Sequence, residues 1–190
     1  MAKKTSAPCR LLVFDTETTG LPKPRRVALS KQPRIIEFAA ALYDAGTKEL
    51  LREWSTLINP QQEIEPIITK ITGITQAQLD APGVPLYADV AQQIEAFFRE
   101  ANVSIAHNHY FDKSLVEFEL WRTVGADAAQ AFPWPAPVCT VEYFKPLWGR
   151  RPKLTEVYAH FMGEPLAQTH RALDDVHALA RVALQEGVWQ

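Results

Sequence analysis

Apolar positions along this chain follow two periods in turn. Residues 10–15 are a continuous apolar block, Leu11-Leu12-Val13-Phe14, that stops at Asp15 and predicts a buried strand leaving the core. Thr18-Thr19-Gly20 permits a turn there, and a basic, proline-punctuated loop runs from Pro22 to Pro33. Two further strands, Ile35–Tyr43 and Leu50–Ile58, are joined through Asp44-Ala45-Gly46 as a hairpin. Thr75 is placed to cap a short helix at 76–80. A longer helix is predicted at 86–101, where Leu86, Val90, Ile94, Phe97, Phe98 and Ala101 share one face. Val103–Ala106 reads as a short strand, 110–123 as a helix, and 125–137 as a loop ending in Phe132-Pro133-Trp134-Pro135-Ala136-Pro137. Helices follow at 140–147, 153–162 and 171–186, the last with Ala172, Val176, Leu179, Ala180 and Ala183 on one side.

Antiparallel strands followed by strand–helix alternation predict an α/β fold with a mixed sheet flanked by helices. A length of 190 residues with no sharp composition break suits a single domain at 10–187, after an N-terminal extension at 1–9. A hydrophobic fraction of 47% excludes a disordered chain. No apolar run approaches the roughly 18 residues that span a bilayer, so no membrane partner is expected. Cys9 and Cys139 are too few and too far apart for a disulfide framework or a zinc knuckle, and they fit a reducing compartment. The apolar block before Asp15 is shorter than the roughly 7–15 residues of a secretory core, so a cytoplasmic location is expected. With 20 basic and 22 acidic side chains the net charge is −2, which excludes a polycation and gives no bulk attraction to nucleic acid.

The acids are distributed unevenly, and that changes the picture. Asp15 and Glu17 stand at i and i+2 on a strand, so two carboxylates emerge on one side at its end. Neighbouring anions repel unless a cation or a proton holds them. Asp112 lies just inside the helix that follows His107-Asn108, and Asp175 lies early in the last helix, after His170-Arg171-Ala172-Leu173-Asp174. Taken singly, Asp112 suits an acid favouring a helix N-terminus and Asp175 an exposed helical acid.

Together these segments form an ordered set: Phe14-Asp15-Thr16-Glu17-Thr18-Thr19-Gly20, His107-Asn108-x3-Asp112, and His170-Arg171-Ala172-Leu173-Asp174-Asp175. The set resembles the motifs of the DnaQ-like, or DEDDh, 3′→5′ exonucleases, a family that includes the epsilon proofreading subunit of DNA polymerase III, ribonuclease T and oligoribonuclease. The resemblance covers roughly residues 11–185. It implies a ribonuclease H-like fold, a five-stranded mixed sheet with helices on both faces. It also implies a metal-dependent 3′→5′ exonuclease that releases nucleoside 5′-monophosphates.

By the same resemblance Asp15, Glu17, Asp112 and Asp175 hold two Mg²⁺ ions, for which Mn²⁺ substitutes, and His170 is the general base. Asp15 would bridge the ions, Glu17 and Asp175 would complete one site, and Asp112 would act through water. The chemistry is consistent: Mg²⁺ prefers oxygen ligands, and two ions roughly 3.5–4 Å apart clamp the attacking and leaving oxygens. An imidazole pKa near 6.5 suits removal of a proton from water at neutral pH. His170 and Asp175 are five residues apart, about 140° around a helix, so His170 belongs on the loop before it. The tyrosine variant of the family fails here, because Tyr158 is followed four residues on by Met162. Asp174 is the neighbouring acid that the register sets aside.

Substrate contacts are less sharply marked. Thr16 and Thr18 offer hydrogen bonds to the terminal nucleotide, and Asn108 belongs to the second motif. Ile74 follows Thr72-Gly73 where many relatives carry His-Gly-Ile, so the histidine of that segment is missing. Phe111 is either a base-stacking aromatic or a core residue. One basic cluster, Lys23, Arg25, Arg26, Lys31 and Arg34, follows the first motif; Arg25 and Arg26 are its candidate phosphate contacts. A second, Lys145, Arg150, Arg151 and Lys153, precedes the last two helices and is a further candidate for contact with the phosphate backbone. The implied partners are single-stranded or frayed 3′ ends, with DNA favoured over RNA, and a DNA polymerase or repair complex. A non-catalytic binding module on the same fold is the competing class, favoured only if a member of the quartet were lost. Setting aside the four candidate ligands leaves 18 acids against 20 bases, so the slight acidity does not oppose nucleic acid.

Overall fold

Alternation along Arg10–Thr18 (β1) builds the two faces of the sheet. Leu11 and Val13 point into a cluster with Ala39, Ala41, Ile105, Val176 and Leu179. Leu12 and Phe14 point the other way, into Phe38, Phe97, Phe98, Leu115 and Val116. Both faces are buried, which explains why the strand reads as an unbroken apolar run. The computed structural model describes residues 9–167 and 171–190.

Ile35–Asp44 (β2) pairs antiparallel with β1, and Leu50–Leu57 (β3) antiparallel with β2. The Asp44 carboxylate closes the hairpin by accepting from the N–H groups of Gly46 and Thr47 at 2.8 and 2.9 Å. Pro66–Thr72 (α1) and Gln76–Leu79 (α2) cross over, and Thr75 caps α2 in a reciprocal box with Gln78. Tyr87–Glu100 (α3) leads into Val103–Ala106 (β4), which adds to β1 in parallel. His109–Thr123 (α4) and Gly125–Gln130 (α5) follow, then Ala136–Cys139 (β5), parallel to β4. Thr140–Trp148 (α6), Leu154–Met162 (α7) and Ala172–Glu186 (α8) complete the order. The sheet runs β3-β2-β1-β4-β5, with α7 and α8 packed on one face and α3 and α4 on the other. The expected five-stranded mixed sheet with helices on both faces is therefore present.

β1 runs on through Asp15 and Glu17 to Thr18, so both acids lie on the strand as their spacing predicts. Two segments depart from the sequence reading. The segment 125–137, read as a loop, holds α5 and the start of β5; Pro137 disguised a strand that tolerates it only because it lies at the sheet edge. Pro66–Thr72, where no helix was predicted, begins on a proline and ends on Gly73 at φ 72°, a start-and-stop pair that marks a helix. Cys9, placed in the extension, lends its carbonyl to the Ala45 N–H at 2.8 Å, and the rest of that extension lies outside the described residues. Among the described residues no helix is long and apolar enough to cross a membrane.

Candidate active site

The two-residue period of β1 sorts the first motif. Asp15 and Glu17 share the face of Leu11 and Val13, toward α8, whose first turn carries Asp175. Carboxylate oxygens of Asp15, Glu17 and Asp175 all lie within 4.8 Å of one another. Glu37 stands directly opposite Glu17 in the β1–β2 register, which brings a further acid to the group. Glu37 is only 2% exposed, and its charge is met by Arg171: Nε donates to both carboxylate oxygens at 3.1 and 3.2 Å, and Nη2 to one at 2.6 Å. The Ala172 N–H also donates to Glu37, at 3.1 Å, so the start of α8 is tied to β2.

Thr16 points the opposite way, and there it meets the second motif. The β1–β4 ladder ends at Val13 and Ile105, leaving the later N–H groups on that edge of β1 without a strand partner. Asp112, in the first turn of α4, fills the gap: its Oδ1 accepts from the Thr16 N–H at 3.0 Å and from the Thr16 hydroxyl at 2.8 Å. Asp112 is 2% exposed and stands outside the tight trio, yet its charge acts on both Asp15 and Glu17.

The crowding is visible in the protonation equilibria. Burial, then Asp112, Glu17, Asp175 and Glu37, push the Asp15 pKa well above the usual carboxylate range. Burial and then Asp175, Glu37 and Asp112 push Glu17 up to about 8, against the lowering pull of Arg171. Burial also raises Asp112, opposed by the two hydrogen bonds from Thr16. Each carboxylate is thus held short of positive charge, which suits a hard divalent cation with oxygen ligands. The donor set is all oxygen and converges from β1 and α8, so a divalent metal fits the residues present.

A cavity of about 530 Å³ opens beside this trio, lined by Asp15 and Asp175 on one side and by His107, Asn108, Arg151 and Lys153 on the other. His107 is structural: the Pro152 carbonyl only accepts, so Nε2 carries the proton at 3.1 Å, and Nδ1 faces the Thr140 hydroxyl at 3.0 Å. Burial pulls its pKa down to about 4. His109 is likewise held down to about 4 by burial, packed edge-on to Phe14 and bonded to Ser104. His170, the expected base, lies outside the described residues. Asn108 adopts a left-handed backbone, φ 79° and ψ 51°, and its Oδ1 accepts from Arg151 at 2.6 Å.

The other expected contacts are placed as follows. The Thr16 hydroxyl donates to Asp112, and the Thr18 hydroxyl donates to the Gly20 carbonyl at 2.8 Å, so both donors serve the protein. Ile74 is 1% exposed, packed with Ile36, Ile68 and Leu79; Thr72, in the place of the family's histidine, is buried and its hydroxyl donates to the Ile68 carbonyl one turn back in α1. Phe111 packs against the core cluster of Phe14 and Phe98. Arg25 pairs with Glu117 at 2.8 Å and lies over the Trp121 ring, on the outer side of α4, while Arg26 is exposed. The loop they belong to is anchored by Arg122, which donates to the carbonyls of Leu29, Gln32 and Pro33. Sequence reasoning passed over Glu37, whose only signal was its position in a strand otherwise fully apolar from Ile35 to Tyr43.

Comparison with known proteins gives the same frame. PolC-type DNA polymerase III of Thermotoga maritima is 29% identical over 177 residues, covering 92% of this chain and 12% of the polymerase. The epsilon subunit of DNA polymerase III from Treponema pallidum is 35% identical over 107 residues, covering 56% of this chain and 44% of that subunit. The chain therefore spans only a minor part of these relatives. Among solved structures, the nuclease domain of 3′hExo, a DEDDh family member bound to rAMP, superposes with a TM-score of 0.72 at 17% identity, covering 96% and 95% of the two chains. That likeness shows the ribonuclease H-like fold. The RNase T family model, described as an exonuclease, matches residues 12–183, and the chain belongs to that family of exonucleases.

Proposed function

We propose that the chain removes nucleotides one at a time from the 3′ end of nucleic acid, DNA ahead of RNA, releasing nucleoside 5′-monophosphates. The observation that carries this reading is the convergence of Asp15, Glu17 and Asp175 within 4.8 Å, with Asp112 held beside them by Thr16. Asp15, Glu17 and Asp175 would hold Mg²⁺, or Mn²⁺ in its place, as two ions with Asp112 completing the set. Bound divalent cations supply positive charge at the phosphate and at the attacking and leaving oxygens. The chain itself supplies orientation: β1 and α8 fix the carboxylates, and the cavity beside them admits the terminal nucleotide. His170, directly before the anchored Arg171, would take the proton of the attacking water. The preference for DNA rests on similarity to polymerase III subunits, and a polymerase or repair complex is the corresponding partner. The domain proper would be 10–187, and the free thiols of Cys9 and Cys139 fit a cytoplasmic setting.

The test is degradation of 5′-labelled single-stranded DNA, mispaired duplex DNA and RNA, with and without Mg²⁺. A ladder shortening from the 3′ end, abolished by Asp15→Ala and fastest on DNA, is expected. His170→Ala should slow it sharply while metal binding persists. Internal cuts, or an undiminished ladder in Asp15→Ala, would overturn the reading.

A further inference from the structure

The strand must leave the catalytic cavity once its terminal nucleotide is seated, and the walls of that cavity differ. A second cleft, about 430 Å³, is lined by Tyr110, Lys113, Pro137, Cys139 and Glu142, and shares Asn108 and Arg151 with the catalytic cavity. Those two residues form the ridge between them, joined by the 2.6 Å hydrogen bond from Arg151 to Asn108. The groove beside the first motif, lined by Thr19, Gly20, Lys23 and Lys31, shares no lining residue with the catalytic cavity. Continuity therefore favours the ridge over the basic loop of 22–33.

The chemistry of the second cleft fits a nucleotide. Tyr110 is 65% exposed at the start of α4, although the neighbouring Phe111 and Asp112 are turned into the protein. An exposed aromatic face beside Pro137 offers a flat apolar platform, and base stacking on such a face is tolerant of sequence. Arg151 keeps about half its side-chain surface exposed, and its pairing with Glu142 at 3.0 Å is half-exposed too. Such a pair is weak and is readily exchanged for a phosphate, which matches the guanidinium fork. Lys153 faces the catalytic cavity from the same segment.

We propose that Tyr110 and Arg151 form a subsite for the nucleotide on the 5′ side of the one being removed. Arg151 receives the phosphate between the two nucleotides at the ridge, and Tyr110 stacks on the upstream base. This rests on the 3′-exonuclease reading for the direction of the strand.

Binding tests it without requiring turnover. Anisotropy of a 5′-labelled ten-residue oligothymidylate in Ca²⁺ should show affinity falling about tenfold in Tyr110→Ala and restored in Tyr110→Trp. Arg151→Gln should lower the slope of log K against log salt by about 0.7, the loss of one single-strand phosphate contact. Unchanged affinity in Tyr110→Ala, or an unchanged salt slope in Arg151→Gln, overturns the subsite. Kinetics then separates the two readings. The ratio of kcat/KM for the oligonucleotide to that for the 4-nitrophenyl ester of thymidine 5′-monophosphate, which has no upstream nucleotide, should fall about tenfold in Tyr110→Ala. An equal fall on both substrates overturns the subsite. A wild-type protein that cleaves neither substrate overturns the exonuclease reading, and the binding results still decide the subsite.

Discussion

Glu37 grips Arg171 through both carboxylate oxygens while taking the Ala172 N–H, so one buried side chain on β2 fixes the first residues of α8. Asp175 follows within the first turn, its N–H donating to the Arg171 carbonyl at 3.1 Å. Position in the carboxylate trio is thus transmitted from β2 through a residue that is not itself in the trio. Glu37→Ala should lower kcat/KM by about 10- to 100-fold, the usual loss when the support of a metal ligand is removed. It should also cost about 1.5–3 kcal/mol of stability, since it deletes hydrogen bonds to a charged group. For a chain of this size that is a fall in Tm of roughly 3–12 °C. Divalent-ion affinity by calorimetry is the discriminating measurement: a stability loss without an affinity loss would reduce Glu37 to a packing role.

Thr16 decides where Asp112 sits. Thr16→Val keeps the shape and the backbone N–H at 3.0 Å but removes the hydroxyl at 2.8 Å from the buried carboxylate. Because the hydroxyl bond helps hold the Asp112 pKa down against burial, its loss should raise that pKa further. More Asp112 is then protonated at neutral pH, so the pH–rate profile should shift to higher pH and activity at pH 7 should fall about tenfold. Thr16→Ser, which restores the hydroxyl, should recover most of it. A profile identical to wild type in Thr16→Val would show that Asp112 does not depend on Thr16.

Much of this arrangement is legible in the sequence because β1 obeys a strict period of two. Asp15 and Glu17 had to emerge together, and the structure puts them together. The same period sends Thr16 to the opposite face, where its donors are consumed by Asp112 instead of remaining free for a nucleotide. That contact joins residues 96 positions apart, and no local pattern encodes it. Glu37 was hidden for the converse reason: its pairing with Glu17 is a matter of strand register, and register depends on the hairpin as a whole. β5 was hidden by local chemistry, because prolines that normally exclude a strand are tolerated on an edge.

Asn108 separates backbone from side chain at the ridge. Its φ of 79° is a conformation that glycine accepts freely and alanine does not, at a cost of roughly 1–2 kcal/mol. Asn108→Ala should therefore lower Tm by roughly 2–8 °C, whereas Asn108→Gly should stay close to wild type. Both variants delete the oxygen that accepts from Arg151. If that contact orients Arg151, the two should weaken oligonucleotide binding equally despite their different stabilities. A binding loss confined to Asn108→Ala would trace instead to backbone strain.

The acidic cluster predicts how stability depends on pH when divalent metal is chelated. Glu17 titrates near 8 in the folded chain against an ordinary 4.5. Below 4.5 it is protonated in both states, and no penalty operates. Between 4.5 and 8 the folded chain keeps a proton that the unfolded chain releases, so stability falls as pH rises, and it levels off above 8. Asp15 and Asp112, also shifted upward, act in the same direction. Thermal melts in chelator should therefore show Tm declining from pH 5 to pH 8. Asp15→Asn, which removes one of the clustered charges, should melt higher than wild type at pH 8 while being inactive. Saturating Mg²⁺ should reverse the decline, since a ligand at a hundred times its Kd contributes about 2.7 kcal/mol, or roughly 5–11 °C. A Tm that rises from pH 5 to pH 8 in chelator would show that the carboxylates are stabilised by the protein alone, and that a cation is not what holds them together.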